Sequence, residues 1–147
     1  MVTKLEIMGN EDITNLASIG ECWAPSFSPN GRQLAFISNL NGFPQLWVAD
    51  RSRRYPPKVV VTTLNDPITS VFWSPTGQYL TFSTAPNGGM NEQAYIVKPD
   101  GTNLLCITRG GSENNRLTGW APQGEFVVIS SNIWVFRSIV TTDSGLS

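Results

Sequence analysis

Val71-Phe72-Trp73-Ser74-Pro75-Thr76-Gly77-Gln78-Tyr79-Leu80-Thr81-Phe82-Ser83 is the stretch around which the chain is organised. An apolar strand enters a Ser-Pro-x-Gly turn and a second apolar strand leaves it, which is the local signature of a β-hairpin. Pro75 pre-sets the φ that the first central position of a type I turn needs, and Gly77 supplies the positive φ that starts the return strand. The device recurs at Ser26 to Phe36, around Pro29 and Gly31, and at Gly119 to Val128, around Pro122 and Gly124. The turn prolines lie 46 and 47 residues apart (29 to 75, 75 to 122), so the chain repeats one supersecondary unit. A strand-built unit with a period of about 40 to 50 residues is the size of a propeller blade. The expected fold is therefore all-β: a partial β-propeller of about three four-stranded antiparallel blades, the last incomplete.

Composition narrows the function classes. The 147 residues are 40% apolar, enough for a core, and carry a net charge of −1 with 14% charged residues. Nothing in that balance steers the chain towards nucleic acid or anionic lipid. Met1 to Ile7 holds no apolar run of the kind a secretory leader needs. The late apolar stretch Ile133 to Val140 is broken by Arg137 and is far short of the roughly 20 residues that span a bilayer. A soluble cytoplasmic protein is expected. Cys22 and Cys106 sit in different repeats without metal-type spacing and read as reduced, buried and inert.

Along the chain, Ile13-Thr14-Asn15-Leu16 echoes Val61-Thr62-Thr63-Leu64 and, more loosely, Cys106-Ile107-Thr108-Arg109. Each reads as the outermost strand of a preceding blade, and the N-terminal copy as a strand that could complete the last blade of a ring. The propeller region is expected over 1–132, with blades at about 20–64, 66–109 and 117–140 and a divergent tail at 133–147. In the first blade, strands are expected at Trp23 to Phe27, Gln33 to Ser38, Gln45 to Asp50 and Val59 to Thr63. Leu34-Ala35-Phe36-Ile37 is a continuous apolar run, as a sheet covered on both faces requires. In the second blade, Pro99-Asp100-Gly101-Thr102 is a tight turn between Tyr95-Ile96-Val97 and Leu104-Leu105-Cys106-Ile107. In the third, the apolar run at Ile133 begins only 11 residues past the turn proline (122 to 133), against 17 and 19 in the earlier copies (29 to 46, 75 to 94).

Little in the sequence carries chemistry. There is no histidine, so no Ser-His-Asp triad can be assembled from these residues. Gly110-Gly111-Ser112-Glu113-Asn114 fails the Gly-x-Ser-x-Gly elbow at its last position. Gly88-Gly89 lacks the lysine and helix of a phosphate loop, two distant cysteines with scattered acids do not make a metal site, and Glu11-Asp12 reads as a solvated pair. No cofactor or metal is expected. Arg51-Ser52-Arg53-Arg54 to Lys58 is the only basic cluster in the sequence; it reads as a solvated outer loop in preference to a phosphate or acidic-partner contact, since the rest of the chain is not basic and no aromatic stacking platform accompanies it. The best candidates for a binding role are the polar loops Gly89-Met90-Asn91-Glu92 and Glu113-Asn114-Asn115-Arg116, because propeller rims carry function on loops held by a rigid scaffold.

The turns resemble the WD-like propeller repeats shared by TolB-type proteins and the N-terminal domains of prolyl oligopeptidase family serine peptidases. Trp73-Ser74-Pro75-Thr76-Gly77 with Leu80 and Phe82 is common to both groups. Ala85 to Val97, Pro99 to Thr102 and Gly110 to Leu117 are similar to a run in bacterial acylaminoacyl-peptidase-like members of the peptidase family. The resemblance covers Ile13 to Asn132; beyond it the family would continue through further blades to an α/β-hydrolase domain, where this sequence diverges, as a truncated gene, a frameshift or a deliberate short variant would. It implies a non-catalytic propeller piece of a serine peptidase that gates access of large substrates. The alternative is a stand-alone TolB-like module that binds a protein or peptide; a non-functional product of a broken gene is a third reading. Closed propellers use about four to eight blades, and three stacked sheets that are oily on both faces leave two apolar end faces. Self-association to complete the ring, or poor folding alone, is the expected consequence; nucleic acid and membrane are not expected partners.

Overall fold

Each Ser-Pro-x-Gly or Ala-Pro-x-Gly segment closes its hairpin with the same pair of main-chain bonds. Gly77 N donates to Ser74 O at 2.9 Å and Ser74 N to Tyr79 O at 2.9 Å; the counterparts are Gly31 to Ser28 and Ser28 to Gln33, then Gly124 to Ala121 and Ala121 to Phe126. Gly31, Gly77 and Gly124 all adopt positive φ, at +66°, +75° and +83°, a region that side chains resist. The computed structural model describes residues 20–52, 55–61, 63–108 and 112–132.

Within those residues the chain is all-β apart from a single 3-10 turn at Pro86–Gly88. The first blade comprises β1 (Cys22–Phe27), β2 (Gln33–Ser38), β3 (Gln45–Asp50) and β4 (Lys58–Val59), and the second β5 (Ile68–Trp73), β6 (Leu80–Thr84), β7 (Gln93–Val97) and β8 (Leu105–Cys106). Each is a sheet of four strands in sequence order, antiparallel throughout; β9 (Asn115–Trp120) and β10 (Val127–Ser131) form a two-stranded sheet. This is the partial propeller that the repeat predicted, with two strands of the third blade among the described residues. The expected strand at Ile133 and the N-terminal echo at Ile13 to Leu16 lie outside the described residues. Every first strand carries a register shift, at Trp23/Ser26, at Ile68/Ser70 and opposite Val128/Ile129. Such bulges strengthen the local twist that radial sheets need.

The blades stack. Ala35, Ile37, Leu46 and Val48 of the first meet Ile68, Val71, Trp73, Leu80 and Phe82 of the second in one buried cluster, and the Phe82 and Tyr95 rings lie parallel with centroids 5.3 Å apart. Truncating a buried aromatic such as Phe82 to alanine costs about 3–5 kcal/mol. Ala94, with Phe72 and Ile107, meets Leu117, Val127, Trp120 and Ile129 of the third. The sheets are also tied by backbone: Ile68 N donates to Pro44 O at 3.0 Å, and one repeat later Asn115 N donates to Glu92 O at 2.8 Å. The turns stack as well, since a β-carbon on Gly77 would lie 3.5 Å from Pro29 Cδ and one on Gly124 would lie 3.5 Å from Pro75 Cδ.

One expectation is corrected in part. The first blade is apolar on both faces, with Phe36 and Trp47 buried on the side opposite Ala35 and Ile37, but the second is not. β6 reads Leu80-Thr81-Phe82-Ser83-Thr84, an alternation that suggests a half-wet strand, yet all five residues are buried. Leu80 and Phe82 face the first blade, while the hydroxyls serve the third: Trp120 Nε1 donates to Thr81 Oγ1 at 2.9 Å and Leu117 N to Ser83 Oγ at 3.3 Å. A buried hydroxyl is tolerated because the next blade brings it a donor. The outward side of β9 and β10 is likewise mixed, with Arg116, Thr118 and Ser130 exposed beside Val128 at 51%. Cys22 is exposed rather than buried, because it opens the edge strand β1; Cys106 is partly buried and its Sγ donates to Thr108 O at 2.6 Å.

Candidate interaction rim

The loop from β6 to β7 begins with the 3-10 turn, where Asn87 takes the left-handed conformation (φ +59°) and Gly88 N donates to Asp66 Oδ1 at 2.9 Å. Gly89 closes the turn through its N–H to Pro86 O at 3.1 Å, with ordinary negative φ. The chain then runs through Met90, Asn91 and Glu92 into β7. Its neighbour in space is the segment that leads into β9. Asn91 Nδ2 donates to Ser112 O at 3.0 Å, and Glu92 N donates to Asn114 Oδ1 at 2.9 Å. Asn115 N returns a bond to Glu92 O at 2.8 Å. Two loops some 20 residues apart in sequence (Asn91 to Ser112, 21) thus form one surface at the junction of the second and third blades.

Beneath this surface lies a buried polar knot. Gln93 Nε2 donates to Glu113 O at 2.8 Å, while Gln93 Oε1 accepts from Thr108 Oγ1 at 2.7 Å and from Asn115 Nδ2 at 3.1 Å. Thr108 Oγ1 in turn accepts from Ala94 N at 3.0 Å. Because the amide is satisfied at both ends, it positions the two loops instead of costing stability as an orphan would. Glu92 Oε1 accepts from Thr69 Oγ1 at 2.8 Å, which fixes the carboxylate at the rim.

The seven candidate residues therefore divide. Asn115 and the backbone of Glu113 are structural, bonded to the buried knot. Gly89, Asn91, Glu92 and Asn114 form the bonded frame of the surface. Met90 is 94% exposed and stands out of that frame as a large apolar side chain without cover. Around it, Asn114 Nδ2 and Asn91 Oδ1 make no bond among the described residues. Gln93, Thr108, Ser112 and Asn132 escape a reading by loop composition. Asn132 was findable from the repeat: its Oδ1 accepts from Asn114 N at 2.9 Å, as Asn39 Oδ1, two repeats earlier, accepts from Glu21 N at 3.1 Å.

Among the described residues no three His, Cys, Asp or Glu side chains converge on a metal position, and no helix is long and apolar enough to cross a membrane. Burial, then the nearby Cys106 thiol and Asp66, pushes the Tyr95 hydroxyl up to about 12. Asp100 is held below the ordinary carboxylate range by the Thr102 hydroxyl and N–H, at 2.6 and 2.9 Å, which pin the Pro99-Asp100-Gly101-Thr102 turn.

No protein-family model matches this chain, and no curated protein matches it in sequence. Solved structures do. A protein described as TolB from Agrobacterium tumefaciens is similar at 19% identity and a TM-score of 0.53, over 60% of this chain and 34% of that one. TolB from Acinetobacter baumannii is similar at 20% identity and a TM-score of 0.56, over 76% of this chain and 27% of that one. A third, an acylaminoacyl peptidase in complex with Z-Gly-Gly-Phe-chloromethyl ketone, is similar at 17% identity and a TM-score of 0.48, over 74% of this chain and 20% of that one. The chain spans about a third or less of the length of the two TolB structures. At that identity the likeness speaks to architecture, and the architecture is that of a TolB-type β-propeller, present here as part of the ring.

Proposed function

We propose that this chain is a non-catalytic binding scaffold that presents the rim from Gly89 to Glu92 and Glu113 to Asn115 to a protein or peptide. The observation that carries the proposal is Met90: a flexible, polarizable side chain, almost fully exposed, on loops otherwise pinned by hydrogen bonds to a neighbouring blade. Exposed methionines suit adaptable apolar contacts, and the unbonded Asn91 Oδ1 and Asn114 Nδ2 on the same loops offer an acceptor and a donor to a peptide main chain. Acyl transfer from this chain alone is unsupported, because its sequence lacks the histidine that a serine triad needs. The similarity of Ala85 to Leu117 to acylaminoacyl-peptidase-like sequences supports placing the scaffold in a prolyl oligopeptidase family parent. There the propeller would gate large substrates and another domain would do the hydrolysis. The TolB-type architecture supports the second reading, a stand-alone module that binds a protein. A cytoplasmic location belongs to the same proposal, supported by two unpaired thiols.

Self-association belongs to it too. Phe27 is 65% exposed and occupies the repeat position at which Trp73 and Trp120 pack on the preceding blade. Light scattering over a concentration series tests this, and a monomer at every concentration overturns it. For the rim, selection of a displayed random peptide library against the chain is the direct test. Enriched peptides should bind with micromolar affinity and weaken about tenfold or more, about 1.4 kcal/mol, against Met90→Ser. Peptides that bind wild type and Met90→Ser equally would place the binding surface elsewhere.

A further inference from the structure

The first blade carries a concavity at the end where its β1–β2 turn meets the end of β3. Its volume is about 520 Å³, and Asn30, Gly31, Arg32, Asp50, Arg51 and Ser52 line it. These residues come from the β1–β2 turn and from the end of β3. The register places them: Gln33 pairs with Asp50, and one step beyond, Arg51 N donates to Arg32 O at 2.8 Å. Arg32 and Arg51 are thus opposed across the strand pair. Like charges in that arrangement destabilise a sheet, and neither guanidinium has a carboxylate partner among the described residues.

The turn does not require this charge. Gln78 and Glu125 hold the position of Arg32 in the other two hairpins, which close with the same backbone bonds. Among the other polar groups of the lining, acceptor atoms are already engaged. Asn30 Oδ1 is already occupied, accepting from Arg32 N at 2.9 Å and from Ser28 Oγ at 2.8 Å, so its Nδ2 is the group left over. Asp50, the one acid in the lining, has its Oδ1 taken by Ser52 N at 2.7 Å.

We infer that this concavity is a receptor for a phosphate group, held by the Arg32 and Arg51 guanidiniums and the Asn30 amide. Two guanidiniums match the charge of a phosphate dianion, and donors from three residues suit a tetrahedral oxyanion better than a planar carboxylate. The phosphate can be free or carried on a phosphorylated side chain, since both present the same group.

The test is an NMR titration of the full chain at neutral pH and low salt, following the Arg Nε–Hε and Asn Nδ2 signals. Inorganic phosphate should produce saturable shifts at Arg32, Arg51 and Asn30 that sodium chloride of equal ionic strength does not. Arg32→Gln, which installs the residue the second blade uses, should fold normally and weaken binding about tenfold or more; Arg51→Gln should do the same. O-phosphoserine within a short peptide supports the site in either outcome: tighter binding than inorganic phosphate assigns a phosphorylated chain, equal binding the free ion. Shifts that chloride reproduces, or unchanged affinity in Arg32→Gln, overturn the inference. Acetate binding as tightly as phosphate overturns it in favour of a carboxylate.

Discussion

Trp73 and Trp120 occupy the same position in successive blades, yet only one has a use for its indole N–H. Trp120 Nε1 donates to Thr81 Oγ1 at 2.9 Å, while Trp73 Nε1 is buried without a partner among the described residues. The repeat explains the difference. Trp120 pairs with Val127 and Trp73 with Leu80; Thr81 follows Leu80, and its counterpart in the first blade, following Leu34, is Ala35. Ala35 is fully buried and has no hydroxyl to offer. An orphaned buried donor costs about 1–3 kcal/mol. Ala35→Ser should place an acceptor where Thr81 sits one blade later; after the cost of burying the hydroxyl, the net gain is about 1 kcal/mol. With a urea slope of about 1.5 kcal/mol per molar, the unfolding midpoint should rise by roughly 0.7 M. Thr81→Ala is the mirror experiment and should cost about 2 kcal/mol, a hydrogen bond plus a methyl group. The decisive control is Trp73→Phe, which has no N–H: in that background the benefit of Ala35→Ser should vanish, a coupling of about 1 kcal/mol. A gain that persists without the indole N–H, or a lower midpoint for Ala35→Ser, would mean that the Trp73 indole does not bond residue 35.

Further outcomes follow from the same stacking. A β-carbon on Gly101 would sit 2.5 Å from Val60 O and the residue has φ +89°, whereas Gly31, at φ +66°, has nothing within 4 Å. Gly101→Ala should therefore cost about 3 kcal/mol and Gly31→Ala about 1 kcal/mol in urea unfolding; equal costs would deny the close approach of the blades. Ser74 Oγ accepts from Tyr79 N at 3.0 Å and Ser28 Oγ from Gln33 N at 2.9 Å, but the third turn has Ala121. Ala121→Ser should raise the thermal midpoint of the third hairpin and Ser74→Ala should lower stability by about 1 kcal/mol, as hydrogen exchange at these turns would report. Tyr95, titrating at about 12, binds its proton more tightly folded than unfolded. Its share of stability is present below the ordinary tyrosine value near pH 10 and lost as pH rises through about 12, so Tyr95→Phe should flatten the alkaline limb of the pH–stability curve. Asp100 has the opposite sign: its depressed pKa contributes stability above the ordinary Asp value that is lost as pH falls through the depressed one. Thr102→Ala should move its carboxyl titration, followed by carbon NMR, back towards the ordinary range.

The architecture was legible because backbone chemistry repeats with it. Pro29, Pro75 and Pro122 with Gly31, Gly77 and Gly124 announce the turns, and the apolar runs at their flanks are the inner strands. What was hidden is what covers each face. Thr81 and Ser83 look like the wet side of a strand, and only the indole of Trp120 and the amide of Leu117, some 34 to 39 residues on, show why they are dry. The rim was half legible. Its two loops are marked by Gly, Asn and Glu, but their meeting depends on Gln93 and Thr108, which read as ordinary strand residues. Asn39 and Asn132 share a clamp that a comparison of repeats reveals. The second blade lacks it because Pro67 stands at the donor position and has no N–H to give, and Ala85 stands where the amide would be.

The three proline-centred turns belong to successive stacked sheets. Proton–proton NOEs between Pro29 Hδ and Gly77 Hα, and between Pro75 Hδ and Gly124 Hα, measure it directly. Both should be present, because each proline ring lies within van der Waals reach of the next turn's glycine. If neither pair is seen while each hairpin's own cross-strand NOEs remain, the hairpins exist but do not stack, and the propeller reading fails.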